Sequence, residues 1–82
     1  HYGAERLESG VEKAERIAAE ALEGLRWSEA DLQGRRKGDE RKVRIARRLR
    51  QETTMSLKWI AQRLRMGSWT YVSNLLHESA KR

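Results

Sequence analysis

Residues 54–76 read TMSLKWIAQRLRMGSWTYVSNLL, two apolar-patterned segments on either side of Gly67 with almost no chain between them. In the first, Leu57, Ile60, Ala61 and Leu64 share one helical face, and in the second Val72, Leu75 and Leu76 do the same. Two helices joined this closely must turn a tight corner, which is the helix-turn-helix arrangement. Ser56 and Ser68 stand where N-caps belong, and Gly67 offers the left-handed backbone a helix stop uses. Ala61 occupies the place where a small side chain lets the second helix come close. The spacing from Leu64 to Val72 is a residue longer than in a typical motif of this kind.

The rest of the chain also reads as helix. Apolar residues at Leu7, Val11, Ala14, Ala18, Ala21 and Leu25 alternate steps of four and three, predicting one amphipathic helix over residues 4–25, weakened by Gly10 and ended at Gly24. Its stripe can dock on the chain's own core or pair with a second copy through residues 7–25, and its alanines favour docking. In RWSEADLQG, Ser28 and Asp31 fit a loose capping box, so a short helix follows from Glu29 to about Gln33. Gly34 and Gly38 bracket a basic loop, Arg35, Arg36 and Lys37. Asp39 then caps a helix from Glu40 to about Gln51, with Val43, Ile45, Ala46 and Leu49 inward and Arg41, Arg44, Arg47 and Arg48 outward. Trp69 projects near the inner arc of the last helix and is expected in the core. Trp59 forms a second apolar edge beside Met66, and Trp27 resembles a hydrophobic staple. Proline and phenylalanine are absent, in keeping with an all-α chain.

Charge separates the two halves. The net +6 divides into −4 over residues 1–34 and +10 over residues 35–82, so the second half suits a polyanionic partner and the first has another task. With 82 residues, a deep catalytic cleft is not expected. His1 and His77 are the only histidines and cysteine is absent, so no metal-ligand spacing, cofactor motif or disulfide framework is expected, and no small-molecule substrate. No apolar run approaches the roughly 20 residues that span a bilayer. A first residue of His1 and the lack of a leader suggest a fragment of a longer protein.

The segments RWSEADL, GDERKVRIARRLRQETTMSLKWIAQRLRMGSW and YVSNLL resemble the C-terminal region of bacterial transposase-like proteins of the REP-associated, single-tyrosine (HUH-type) group. The resemblance spans residues 4–78, and ETTMSLKWIAQRLRMG is its most specific part. It implies a detached DNA-binding module, with Arg44, Arg47, Arg48, Lys58, Arg63 and Arg65 on the DNA backbone. The catalytic domain of that family carries a His-hydrophobic-His metal motif and a tyrosine nucleophile. Neither can be matched to Tyr2 or Tyr71, so catalysis is not carried over.

The expectation is therefore a small all-α helical domain with a long N-terminal amphipathic helix and a C-terminal helix-turn-helix. Residues 1–34 form the acidic helix and a short connecting helix, and residues 35–82 the basic module, within one compact domain. Its partner is duplex or hairpin DNA and its place the bacterial cytoplasm, at the nucleoid. On the second helix of the pair, Thr70, Ser73, Asn74 and His77 face outward as candidates for base readout, while Tyr71 and the loop cations Arg35, Arg36 and Lys37 can reach phosphate. The alternative is a helical interaction or dimerisation module with only incidental affinity for nucleic acid.

Overall fold

Five helices form among residues 10–80, the part of the chain that the computed structural model describes, with side chains through Glu78. They are α1 (Gly10–Leu25), α2 (Glu29–Gly34), α3 (Glu40–Glu52), α4 (Leu57–Arg63) and α5 (Trp69–Ala80), and no strand occurs among the described residues. The part of the first predicted helix before Gly10, with Leu7, lies outside them.

The starts of the helices follow local chemistry. Ser28 accepts from the Asp31 N–H while Asp31 accepts from the Ser28 N–H, a complete capping box. Asp39 accepts from the Arg41 N–H at 2.8 Å, Ser56 from the Trp59 N–H at 3.1 Å and Ser68 from the Tyr71 N–H at 3.2 Å.

Two of the ends are unusual. At the end of α1 the Trp27 N–H bonds the Leu22 carbonyl and the Arg26 N–H the Glu23 carbonyl, a Schellman closure with Arg26 in the left-handed region at φ 60°. The end of α4 repeats it, with Met66 bonded to Ala61, Arg65 bonded to Gln62, and Arg65 at φ 57°. Gly24 therefore does not end the first helix, which runs on to Leu25. Gly67 is also left-handed, at φ 88°, but it turns the chain into α5 after Arg65 has already closed α4. In both motifs a buried apolar residue follows, Trp27 or Met66, and its burial holds an arginine where glycine is the usual occupant.

The central element is α3, against which α1, α4 and α5 all pack, while α4 and α5 also pack on each other. Each helix sends at least one large aliphatic side chain fully into the core: Ile17, Leu32, Leu49, Ile60 and Val72. Each contributes about 1.5–3 kcal/mol by leaving water. In α1, Ala14, Ile17, Ala18 and Leu22 are spent on this core, which leaves Val11, 50% exposed, as the described position of its apolar stripe most open to solvent. Ala61 is buried on α4, which packs on both α3 and α5.

Two side chains depart from their sequence reading. Trp69 is 53% exposed rather than buried. As the first residue of α5 it stands beside the start of α4 and the last turn of α3 instead of within the core. The other is Lys42, which the sequence reading assigned to neither face of α3 and which is fully buried. Its ammonium donates to the carbonyls of Leu32 at 2.6 Å, Arg35 at 3.1 Å and Arg65 at 3.2 Å. Those carbonyls lie at the C-terminal ends of α2 and α4, where backbone acceptors are left over and the helix dipole is negative. The ammonium's three donors thus meet three acceptors. Lys42 precedes Ile45, Ala46 and Leu49 by three, four and seven residues, which is the phase of the buried face.

Candidate nucleic-acid interface

Several arginines of the basic half are held by groups within the chain. Arg63, from the last turn of α4, reaches back to the acidic half. Its Nε donates to both carboxylate oxygens of Glu15 at 3.0 and 3.1 Å, and its Nη1 and Nη2 donate to Glu29 at 3.1 and 3.0 Å. Burial works against its charge, but the bonds from Glu15 and Glu29 outweigh it and hold the guanidinium above the ordinary arginine pKa. The geometry joins α4 to α1 and α2 and turns Arg63 away from the phosphate role expected of it.

Arg41 is bonded through Nε and Nη2 to Asp39, both at 3.2 Å, and its guanidinium carbon lies 5.0 Å from the centre of the Trp27 ring. Arg35 approaches the same ring at 4.8 Å. Trp27 is thus the apolar base for two cations at the root of the 35–37 loop. The Arg41 side chain holds the Asp39 carboxyl below its ordinary range, helped by the Arg41 N–H and the charge of Arg35. Arg48 bonds Glu52 at 3.2 Å and lies 3.9 Å from Glu20. Arg47, half-buried, donates to the Leu76 carbonyl at 3.2 Å and so ties α3 to α5.

Six other cations, Arg36, Lys37, Arg44, Arg50, Lys58 and Arg65, are exposed and enter no ion pair among the described residues. Lys37 lies along Gly67, where an added Cβ would come within 3.2 Å of its Cδ, next to Ser68 and Tyr71 at the start of α5. Gly38 is tighter still. A Cβ there would meet the Tyr71 hydroxyl at 2.5 Å, so a side chain at this position would make the exposed Tyr71 ring shift where the loop lies against α5. The fold therefore brings Lys37, one of the predicted loop cations, to the leading end of the helix that carries the base-readout candidates, while Arg35 lies on Trp27.

Along α5, Thr70, Asn74 and His77 are exposed and Ser73 is half-buried, in one polar row opposite Val72. Tyr71 is 41% exposed beside them. Arg44 and Lys58 project to solvent from α3 and α4, and Arg65 from the turn between α4 and α5. Arg50, which the sequence reading left out, and Trp69, which it placed in the core, line one groove with Ser56, Leu57 and Lys58. No local signal marked Arg50, since its helical phase falls between Val43 and Ala46 at the margin of the inward arc, and its neighbours come from α4 and α5 and cannot be read from local spacing.

Among the described residues no group of three or more His, Cys, Asp or Glu side chains could hold a metal ion, and no helix is long and apolar enough to cross a membrane. No family model, curated protein or solved structure matches the chain.

Proposed function

We propose that this chain is a DNA-binding module in which α4 and α5 act as a helix-turn-helix. In this reading the polar row of α5 enters the major groove and the surrounding cations hold the phosphate backbone. The observation that carries it is the sorting of the basic side chains. The acidic glutamates take up Arg48 and Arg63, while Arg36, Lys37, Arg44, Arg50, Lys58 and Arg65 stay exposed and unpaired among the described residues, in the 35–37 loop, on α3 and α4 and in the turn before α5. Exposed cations in that number favour a polyanion, and each phosphate contact releases counterions. The role is binding without catalysis, and the resemblance of residues 4–78 suggests the C-terminal part of a bacterial transposase-like protein working at the nucleoid. The other reading, a dimerising or tethering module built on α1, has less to stand on, because most of the described apolar stripe is already spent on the chain's own core.

The test is affinity for a preferred and a random duplex, each measured across a salt series. Binding should fall with log salt at about −0.9 per phosphate contact. Arg44→Ala with Lys58→Ala should weaken both duplexes alike and flatten the slope by about one to two, since neither residue is tied to the fold. Asn74→Ala should leave the slope unchanged and narrow the gap between the duplexes by about 1–3 kcal/mol, the worth of one bidentate base contact. Affinity that ignores salt sinks the DNA reading, and equal losses on both duplexes from Asn74→Ala remove α5 as the reader.

A further inference from the structure

Trp69 is the largest apolar side chain that the fold leaves in solvent among the described residues. It stands in the groove with Leu57 and Ser56 from the start of α4, Lys58 from its first turn, and Arg50 from the last turn of α3. No acidic side chain lines this groove, and Arg50 and Lys58 are both without an ion pair among the described residues. A flat indole beside an aliphatic floor, flanked by two free cations, offers a stacking face and two phosphate anchors within one site. An apolar protein partner would use the indole and leave both cations uncompensated.

We propose that this groove takes one unpaired nucleobase of the bound DNA, stacked on Trp69, with the flanking phosphates on Arg50 and Lys58. The inference rests on the DNA-binding reading and adds a second mode to it. Paired bases keep their faces inside the duplex stack and cannot use the groove, so it responds to unpaired nucleotides next to the duplex. Its location suits that task, because Trp69 immediately precedes Thr70, the first of the polar row on α5.

The experiment compares a blunt duplex with the same duplex carrying a short thymine overhang, and with that overhang made abasic, by fluorescence anisotropy. The parent should favour the thymine overhang by about tenfold over the blunt duplex, and the abasic overhang should lose the gain. Trp69→Ala should bind all three alike, with blunt-duplex affinity and salt slope unchanged, and Trp69→Phe should keep part of the preference. The indole is over half exposed, so both variants should melt close to the parent; if Trp69→Ala does not, the parent's response to the abasic overhang decides. A preference that survives Trp69→Ala or the abasic overhang, or that the parent never shows, overturns the groove assignment while blunt-duplex binding keeps the DNA reading in place. No binding to any of the three overturns both.

Discussion

Lys42 shows how one buried charge can be satisfied by backbone alone. Its stem fills the space between α3 and the ends of α2 and α4, and desolvation pulls its pKa below the ordinary lysine value against the opposing charge of Asp39. Replacing it with methionine keeps the stem and removes the donors. The Leu32 carbonyl is then left dry, while the part-buried Arg35 and Arg65 carbonyls can turn to water. Lys42→Met should therefore lose about 2 kcal/mol in urea denaturation, since an abandoned buried acceptor costs more than a formed hydrogen bond contributes. An unchanged midpoint would mean that the cost of desolvating the ammonium had cancelled its bonds. Asp39 has the opposite pH signature. Its pKa in the folded state lies below its unfolded value, near 3.8, so its contribution is complete above that pH and is lost as the pH falls through the lower, folded value. Stability should drop on acidification below about pH 4, and Asp39→Asn, which keeps an N-cap but no charge, should flatten that limb. A midpoint against pH that runs parallel in parent and variant would remove Asp39 as the cause.

Among the elements, the caps and helix phases were legible in the sequence because they depend on neighbours three or four residues away. Ser28 with Asp31, and Asp39, Ser56 and Ser68, all act where their spacing places them. The missed features rest on distant partners or on burial. Lys42 finds acceptors 10 and 23 residues away, and Arg63 finds carboxylates 34 and 48 residues away, where no periodicity reaches. The left-handed arginines at the ends of α1 and α4 were hidden because nearby glycines drew the stop signal, whereas burial of the following Trp27 and Met66 decides which residue turns. The exposed face of α5 was legible as a row of polar side chains, but not the groove beside it, which takes one wall from each of three helices. The packing of α4 can be tested at Ala61. It is 1% exposed on a helix that packs against both α3 and α5, so Ala61→Leu must push α4 away from its neighbours at a cost of about 1–3 kcal/mol. A thermal midpoint equal to the parent's would show that α4 has slack the described packing does not contain.

At the scale of the whole molecule, the acidic and basic halves meet through Arg63. Its guanidinium is largely covered, but Glu15 and Glu29 are about half exposed, so the bridge is worth on the order of 1–2 kcal/mol after screening. Arg63→Ala should lower the denaturation midpoint and leave the salt slope of DNA binding unchanged. A slope flatter by about one, with stability retained, would return Arg63 to the phosphate backbone. The burial of Lys42 has a chemical consequence as well. An amine-directed acylating reagent can reach Lys37 and Lys58 at the surface of the native fold, whereas the Lys42 amine becomes reactive only when the ends of α2 and α4 let go of it. Mass spectrometry of the acylated protein would then time the opening of the molecule by the slow labelling of this one lysine, set against the quick labelling of the other two.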